Sequence, residues 1–382
     1  MSICLCMIVK NEEHIIEKTL ANILKHIPLS YWVISDTGST DNTISVIKSF
    51  FEKKCIPGEL VEHEWKDFAY NRTKSLECAF NKTDYVFIFD ADDEIMGTLT
   101  LPPLTKDRYM LTFGSGFSYD RPLLITNRKI WFYTGVLHEY LDSAEPRAVD
   151  YIKGKYYIES GRTGARSKNP NKYAEDAIIL KKAYETEPRK DLKCRYAFYC
   201  AQSYKDSNNH EESITWYKTS LELQGWDQEK YYACLQLGDM YEPINMEMAQ
   251  YYWCKSTQYD HERIEGLVLL ATMLHKRGNH VLVNALYHRC KDVKIPQGKL
   301  FIRVYLYGEI EYLNSISAYY ARDCASGYAC CKKIILTYKD KSKVDQCIKN
   351  LVFYKDFLVK DKPFMKVLST MNVPKFMKYA SS

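Results

Sequence analysis

The chain has 382 residues, of which 46% are hydrophobic and 26% are charged, and its formal net charge is +5. This length suffices for two hydrophobic cores, whereas a charge so small and dispersed argues against a nucleic-acid-binding protein. Thirteen cysteines, odd in number and without C-x-x-C spacing, indicate neither a zinc site nor a disulfide framework and favour a reducing cytoplasm. No stretch approaches the roughly 20 apolar residues of a membrane span, and no signal peptide is expected.

The first predicted element is a strand, Ile3–Val9, which is apolar throughout and is followed by a polar turn, Lys10–Glu13. Apolar residues then recur at helical spacing, at Ile15, Ile16, Leu20 and Ile23. The segment therefore predicts a strand, a turn and an amphipathic helix in succession.

A second unit of the same kind follows. The strand Tyr31–Ser35 leads into the turn Asp36–Thr43, in which Gly38 permits a tight bend, and a helix is expected over Ile44–Phe51. Three side chains of the turn could cap this helix, namely Ser39, Thr40 and Asp41. The free amides at such a helix start are able to bind a ligand.

A third helix is predicted to begin after Asp67, whose carboxylate is a suitable cap. Asn71 and Arg72 fall one turn later, and an arginine there could bind a nucleotide edge or a phosphate in bidentate fashion. A surface arginine on an amphipathic helix is the alternative. The apolar positions of this helix, expected to face the sheet, are Leu76, Ala79 and Phe80.

The next strand, Tyr85–Phe89, is apolar at every position and runs into four carboxylates, those of Asp90, Asp92, Asp93 and Glu94. A strand of this kind is typical of a parallel sheet that is covered on both faces, and ligands bind at the carboxyl ends of such strands. Crowded carboxylates repel one another unless a divalent cation with a preference for oxygen ligands, Mg²⁺ or Mn²⁺, neutralises them. A solvated acidic turn is the alternative.

In order and spacing, the segments Met7–Glu13, Ser35–Thr43 and Phe89–Glu94 resemble the nucleotide-site motifs and the Asp-x-Asp metal motif of the family 2 glycosyltransferases. The resemblance covers about residues 1–165. It implies an α/β GT-A domain, which is Rossmann-like, and the transfer of a sugar from a nucleotide diphosphate sugar to an acceptor.

The resemblance also implies roles for individual residues. Asp36 is expected to contact the base of the donor, a uracil if the donor is UDP-linked. Asp92 is the expected principal ligand of Mn²⁺ or Mg²⁺, and Asp90 reaches either the ribose or the metal through water. Asp93 and Glu94 face the acceptor or close the turn. The remaining residues expected at the donor are Val9 and Lys10, through their backbone, together with Glu12, Asn71 and Arg72.

A further segment, Leu123–Arg128 followed by Trp131–Tyr140, resembles a signature of one subgroup of this family. In that subgroup an arginine, here Arg128 at the donor, precedes a His-Glu pair beside the metal and the reacting sugar carbon. His138 is expected to bind the metal or the diphosphate, and Glu139 to act as general base on the acceptor hydroxyl, although these two roles could be exchanged. The candidates for the base are Glu139, Asp93 and Asp142.

The segment Ser160–Pro170 is rich in glycine and basic residues and has no hydrophobic period. It is predicted to be a loop whose cations, among them Arg166, fold over the donor diphosphate. A charged hinge between domains is an equally good interpretation.

From Tyr173 onward the pattern changes to long amphipathic helices. Small residues recur at offsets of 37 and 33, at Ala201, Gly238 and Ala271, and a period near 34 is typical of tetratricopeptide-like hairpins. Residues 1–165 are therefore predicted to form the GT-A domain and residues 166–382 a tetratricopeptide-like α-helical domain. Its surface could dock an acceptor polypeptide, another enzyme or a second copy of the chain, giving a homodimer.

Together these features predict a metal-dependent, inverting glycosyltransferase, of the hexosyl- or N-acetylhexosaminyl-transferase class, that acts on a hydroxyl of a glycan or protein. Two alternatives stay open, a non-catalytic helical-repeat adaptor with a vestigial nucleotide fold and a metal-dependent nucleotidyltransferase. A composition rich in Tyr and Lys fits an AT-rich genome such as that of a large DNA virus, in which case the protein acts in the host cytoplasm. Sugar choice is expected to depend on the loop near Phe113–Arg121, which carries no motif.

Overall fold

Strands and helices alternate along the first part of the chain and build one ten-stranded mixed sheet with a separate two-stranded ribbon. The computed structural model describes residues 1–161 and 169–371. The strands are β1 (Ile3–Val9), β2 (Tyr31–Asp36), β3 (Gly58–Glu62), β4 (Tyr85–Ile88), β5 (Glu94–Thr98), β6 (Arg108–Phe113), β7 (Phe117–Thr126), β8 (Phe132–Thr134), β9 (Tyr140–Asp142), β10 (Val149–Tyr151), β11 (Lys155–Glu159) and β12 (Ile302–Arg303). The helices between the early strands are α1 (Ile16–His26), α2 (Thr43–Lys54) and α3 (Phe68–Ala79).

The sheet has the order β3-β2-β1-β4-β7-β6-β11-β5. Strands β1 to β4 are parallel, with Val9 opposite Asp36 and Cys6 opposite Ile88, so their carboxyl ends lie at one edge of the sheet. Strand β7 runs antiparallel to β4, with Tyr85 opposite Thr126. The beginning of β7 therefore lies near the end of β4, and the end of β7 lies near the beginning of β4.

Both faces of the sheet are covered, as the apolar strands predict. Helices α1 and α2 pack on one face, where the buried residues include Leu20, Phe51, Phe87 and Leu124. Helix α3 and the ribbon of β8 and β9 cover the other face, with Leu76 and Trp131 in a second cluster. Two clusters on opposite faces hold the strand ends in fixed positions, which a site at the sheet edge requires.

Helices follow the sheet, and contacts within the chain divide it into two units. The first unit contains residues 1–233 and 297–302, and with them the sheet and the helices α4 (Lys172–Thr186), α5 (Lys190–Asp206) and α6 (His210–Glu222). Helix α7 (Asp227–Tyr241) crosses from the first unit to the second. The second unit contains residues 234–296 and the described residues from 303 onward.

The second unit is helical. Its elements are α8 (Met246–Ser256), α9 (Glu265–Lys276), α10 (His280–Cys290), α11 (Leu306–Tyr320), α12 (Cys324–Thr337), α13 (Lys341–Asn350), a 3-10 turn (Leu351–Tyr354), α14 (Lys355–Leu358) and α15 (Lys362–Thr370). Neighbours in sequence pack on each other, and α9 also packs on α11. Within residues 1–161 and 169–371, none of the helices has both the length and the apolar composition that crossing a bilayer requires.

The recurring small residues lie where helices touch. Ala201 is fully buried and its carbonyl oxygen accepts a hydrogen bond from Ser213 Oγ of α6 at 2.8 Å. A Cβ atom at Gly238 would lie 2.2 Å from the indole nitrogen of Trp253, and Ala271 is fully buried in a cluster with Val283. The helical region is therefore confirmed, whereas its tetratricopeptide character and the domain boundary at residue 165 stay predictions.

Two local predictions are corrected. Phe80 does not face the sheet, because α3 ends at Ala79 and Phe80 follows it as the C-cap with 38% of its surface exposed. The N-cap of α2 is Asn42, which makes no capping hydrogen bond through its side chain. Asp41 instead accepts from the backbone nitrogen of Thr43 at 3.0 Å.

Candidate active site

The turn after β1 is joined by hydrogen bonds to the turn after β2. The carbonyl oxygen of Val9 accepts from both the backbone nitrogen and the hydroxyl of Thr37, each at 3.0 Å. Asn11 adopts a left-handed conformation with φ of 57° and donates from its backbone nitrogen to Ser39 Oγ at 2.9 Å. Glu12 is buried and donates from its backbone nitrogen to Thr43 Oγ1, whereas Lys10 is exposed. The two turns therefore form one structure at the sheet edge.

Asp36 ends β2 and only 2% of its surface is exposed. Its Oδ1 accepts from the backbone nitrogens of Gly38 at 2.9 Å and Ser39 at 2.8 Å, and Gly38 has a φ of 99°, which favours glycine. Its Oδ2 is buried and accepts no hydrogen bond from any residue in the described part of the chain. A buried acceptor without a donor is costly, so this oxygen is suited to an N–H of a ligand.

Asp67 caps α3 as predicted, accepting from the backbone nitrogen of Tyr70 at 2.7 Å. The next turn of α3 presents Asn71 and Arg72, both buried. The Asn71 amide accepts from the backbone nitrogen of Lys66 and donates to the carbonyl oxygen of Glu64, each at 3.0 Å. Its amide is thus engaged with the loop that precedes α3, and Asn71 orders that loop.

Arg72 joins two of the predicted site residues. Its NH2 donates to Asp90 Oδ1 at 2.6 Å and its Nε donates to Glu139 Oε1 at 2.7 Å. Burial alone would lower the pKa of Arg72, but the two carboxylates outweigh this effect and raise it. The guanidinium therefore holds the acidic strand end and the His-Glu segment together.

Arg121 is a site residue that the sequence did not reveal. Its NH1 lies 3.3 Å from Asp90 Oδ2 and 3.9 Å from Asp93 Oδ2. Burial raises the pKa of Asp90, but the charges of Arg72 and Arg121 overcome it and lower the pKa to about 2. Asp90 is thus an ionised carboxylate held between two arginines.

The neighbouring acids have different environments. Asp93 is 3% exposed, and burial together with the negative charge of Asp90 raises its pKa to about 7. Asp92 is half-buried, and a Cβ atom on Gly161 would collide with its carbonyl oxygen, so the chain passes close to this turn. Glu94 points to the surface, where Lys18 Nζ lies 2.7 Å from its carboxylate.

His138 has a left-handed backbone with φ of 53°, a conformation that costs a residue other than glycine roughly 1–3 kcal/mol. Arg195 of α5 donates to its carbonyl oxygen from Nε at 3.0 Å and from NH2 at 2.8 Å. The imidazole stacks on Tyr199 with ring centroids 3.9 Å apart. Residues of α5, which the sequence did not connect with the site, therefore hold the His-Glu segment in place.

Two predicted residues, Asp142 and Arg128, are not brought to this group. Asp142 lies at the end of β9 and pairs with Arg147. Arg128 lies beyond the end of β7, where its NH2 is 3.4 Å from Asp84 at the opposite edge of the sheet, and 79% of its side chain is exposed. The prediction for Arg128 is corrected on this ground, because the antiparallel β7 carries it away from the carboxyl edge. Arg166 lies outside the described residues.

A cavity of about 1110 Å³ opens beside Arg72 and Glu139. Its walls come from β6, β7, the ribbon of β8 and β9, the helices α4 and α5, and residues 298–301, all within the first unit. The cavity is large enough for one or two sugar residues next to the carboxylates.

The acidic strand end offers few protein ligands to a metal ion. No group of three His, Cys, Asp or Glu side chains suited to a metal occurs within residues 1–161 and 169–371. However, Arg72 and Arg121 do not fully neutralise the negative charge of the acidic strand end, because burial and the charge of Asp90 still raise the pKa of Asp93 to about 7. A divalent cation held by one carboxylate and completed by substrate phosphates and water fits this donor set, because Mg²⁺ is usually bound in that way.

The chain is similar to known proteins at the level of a family and of solved structures. The model of the family described as "Glycosyl transferase family 2" matches residues 4–183. That range covers the whole sheet except β12, every site residue above apart from those of α5, and most of α4. No curated protein matches the chain.

Solved structures are similar over longer stretches at low identity. S. aureus TarS 1–349 in complex with UDP-GlcNAc shares 13% identity over 69% of this chain and 90% of that chain, with a TM-score of 0.33. The mannosyltransferase PcManGT from Pyrobaculum calidifontis, in complex with GDP-Man and Mn²⁺, shares 14% identity over 71% of this chain and 78% of that chain, with a TM-score of 0.35.

A nucleoside-diphosphate-sugar pyrophosphorylase from Vibrio cholerae RC9 shares 12% identity over 49% of this chain and 79% of that chain, with a TM-score of 0.26. Because all three TM-scores lie below 0.5, the assignment rests on the family match and on the site. Residues 4–183, which carry the GT-A domain, therefore match glycosyltransferase family 2.

Proposed function

We propose that this chain is a metal-dependent, inverting glycosyltransferase that moves a hexosyl or N-acetylhexosaminyl group from a UDP-linked donor to a hydroxyl of a glycan or protein. The observation that carries the proposal is the junction at Arg72. This buried arginine connects Asp90, of the acidic strand end, with Glu139, of the His-Glu segment. Arg72 and Glu139 both line the cavity, which supports a reaction between two substrates at this junction.

Asp36 supports a uracil as the base of the donor. Uracil presents one ring N–H between two carbonyl groups, and Asp36 Oδ2 is a buried acceptor that receives no hydrogen bond within the described residues. Its Oδ1 is held by two backbone N–H groups, so the carboxylate is oriented before a ligand binds. Val9, Lys10 and Glu12 lie in the turn beside it and would border the same base.

Asp92 is the proposed metal ligand, with His138 as a second one and Asp90 acting through water. A bound Mn²⁺ or Mg²⁺ would stabilise the negative charge that develops on the departing diphosphate. Arg121 and Arg72 add positive charge near the diphosphate, although each already forms an ion pair with Asp90, which partly neutralises it. Arg166, on the glycine-rich segment, remains the proposed cation of a lid over the diphosphate.

Glu139 is the proposed general base. It lines the cavity, and the hydrogen bond from Arg72 fixes one of its oxygens while leaving the second oxygen for the acceptor hydroxyl. Asp93 is the second candidate, because a carboxyl group with a pKa of about 7 could take up a proton near neutral pH. Asp142 is the third candidate, and its ion pair with Arg147 makes it the least available.

The helical region is proposed to dock the acceptor or a second copy of the chain, on a tetratricopeptide-like surface. We also propose that the protein acts in the cytoplasm, because free thiols persist in reducing compartments and the thirteen cysteines are free among the described residues.

The experiment that tests the proposed function is thermal stabilisation of the purified chain by a panel of nucleotide sugars, with and without Mn²⁺, on the wild type and on Asp92→Ala. We expect one UDP-linked donor to raise the melting temperature only with Mn²⁺, and the variant to lose this effect. Analysis of the released nucleotide then decides between reactions, since a glycosyltransferase releases UDP and a nucleotidyltransferase releases pyrophosphate. A chain that no donor stabilises would contradict the proposal and favour the adaptor.

A further inference from the structure

One wall of the cavity beside Glu139 carries two arginines that the proposed reaction does not use. Arg108 begins β6, Arg147 lies just before β10, and both line the cavity together with Tyr151. Strand β10 pairs with β6 so that Val149 is opposite Arg108. The pairing of the two strands therefore holds the two guanidinium groups on the same wall.

Among the described residues, Arg108 forms no ion pair of its own. Its Nε is buried and has no hydrogen-bond partner, and no ion pair found within residues 1–161 and 169–371 includes its guanidinium. Burial lowers the pKa of Arg108 and the like charge of Arg147 lowers it further, and together they outweigh the opposite effects of Tyr151 and Asp142. A cation that is partly buried beside another cation is unfavourable unless an anion joins them.

Three acids in or beside the cavity have partners of their own. Asp142 pairs with Arg147. Asp120 accepts from Thr112 Oγ1 at 2.7 Å and from the backbone nitrogen of Gly298 at 3.0 Å. Across the cavity, Glu229 pairs with Arg195. None of these three acids therefore forms an ion pair with Arg108.

Aromatic rings lie on another part of the wall. Phe117 stacks on Phe301 with centroids 5.1 Å apart, and Tyr232 packs edge-on against Phe301 at 5.0 Å. Trp226 also lines the cavity and is 48% exposed. Aromatic faces of this kind bind the apolar faces of sugar rings, so the cavity combines a surface for sugars with a site for an anion.

We propose that the acceptor in this cavity is a sugar that carries a phosphate or a carboxylate, and that Arg108 and Arg147 bind this anionic group. The inference rests on the proposed glycosyltransferase function and deepens it, since it assigns the chemical class of the acceptor. Arginine suits the role because its planar guanidinium donates two parallel hydrogen bonds to either anion.

The test is a ligand-observed NMR titration of the chain, saturated with UDP so that the donor site is filled, with three probes: glucose, glucose 6-phosphate and glucuronate. We expect wild type to bind at least one anionic sugar about tenfold more tightly than glucose, the usual effect of a hydrogen bond to a charged group. Arg108→Gln should lose this preference. A preference for glucose 6-phosphate alone assigns a phosphate, and one for glucuronate alone assigns a carboxylate.

Arg128→Gln is the matched control, because it removes the same charge at the opposite edge of the sheet and should keep the preference. Arg147→Gln provides a second variant, which should reduce the preference as well. The inference is overturned if wild type binds neither anionic sugar better than glucose, or if Arg108→Gln keeps the preference. Binding of UDP to wild type is measured first by calorimetry, so that failure of the proposed function, seen as no UDP binding, is distinguished from failure of the inference alone.

Discussion

Strand β4 has an aspartate at each end, and the two aspartates differ in nearly every physical respect. Asp84 precedes the strand and contacts Arg128 at 3.4 Å, an arginine whose side chain is 79% exposed. Asp90 follows the strand and contacts Arg72 at 2.6 Å, an arginine whose side chain is 10% exposed. Asp84 borders a cavity of about 640 Å³, and Arg72, the partner of Asp90, borders the larger one, so a cavity alone does not mark the active site.

The difference lies in what surrounds each ion pair. Asp84 accepts hydrogen bonds from the backbone nitrogen and hydroxyl of Ser2, which fastens the chain start to the sheet. Asp90 forms ion pairs with Arg72 and Arg121, and Arg72 also forms an ion pair with Glu139. An exposed pair stabilises little, whereas a network that links separate segments positions groups for chemistry. The amino edge is therefore interpreted as structural and the carboxyl edge as catalytic.

Replacing Arg72 with Met is expected to have the largest effect, because it removes the ion pairs at the carboxyl edge. The change leaves the carboxylate of Glu139 without its buried partner and Asp90 with only Arg121, so we expect the free energy of unfolding to fall by about 3–5 kcal/mol and transfer to be lost. Urea unfolding followed by tryptophan fluorescence measures the first effect. The matched variant Arg128→Met should lose at most about 1 kcal/mol, since its pair is exposed. Equal losses in the two variants would remove the distinction between the edges.

The Glu139→Gln variant distinguishes a catalytic role of Glu139 from a structural one. Gln keeps an acceptor for Arg72 but cannot take a proton, so we expect kcat to fall roughly 10²–10⁴-fold while the affinity for UDP stays unchanged. Steady-state release of UDP with acceptor present gives kcat, and calorimetry gives the affinity. Asp142→Asn should retain most of the wild-type kcat. If Asp93→Asn abolishes turnover and Glu139→Gln does not, the base is Asp93.

The Asp36→Asn variant tests the nucleotide end of the carboxyl edge. It places an N–H where Asp36 Oδ2 now offers an acceptor, so a base N–H loses its partner and affinity for UDP should fall by roughly 10–100-fold, as an unmatched buried donor costs about 1–3 kcal/mol. Isothermal titration with UDP and Mn²⁺ measures the change. Asp84→Asn is the control from the amino edge and should bind UDP as wild type does. An unchanged affinity in Asp36→Asn would exclude its contact with the base.

The sequence predicts the strands of the carboxyl edge well because their apolar runs are local signals. Strand β1 has the predicted bounds, and β2 and β4 differ by one residue at their ends. Arg72, at the start of the helix before β4, and Asp90, just after β4, lie at the same edge of the sheet and form an ion pair. These inferences need only the rule that parallel strands end at the same edge of a sheet.

Arg121 could not be found in this way, because its place depends on the direction of β7. The sequence favours Arg128 because it lies beside the aromatic-Gly segment. Arg128 is seven positions after Arg121, however, and an extended chain of that length spans on the order of 20 Å. Pairing β7 against β4 would have supplied the missing signal. The clamp of Arg195 on His138 is harder still to predict, since it depends on how α5 packs beside the ribbon.

The smallest expected effect is the pH dependence of stability that Asp93 causes, and it too differs between the carboxyl and amino edges of the sheet. Its pKa of 3.8 in an unfolded chain rises to about 7 in the folded one, chiefly through burial, so the folded state holds a proton that the unfolded state has released. The stability contributed by this proton is present below about pH 4 and is lost as the pH rises through 7. In EDTA, the melting temperature of wild type should therefore fall between pH 4.5 and 7.5 relative to that of Asp93→Asn.

Asp84 provides the control. Its pKa is lowered by the Ser2 backbone hydrogen bond, so Asp84 does not make the melting temperature fall over this pH interval, and the curve of Asp84→Asn should parallel that of wild type. Parallel curves for wild type and Asp93→Asn would show that Asp93 is already ionised beside Asp90, and that the two arginines suffice to neutralise the strand end without a cation.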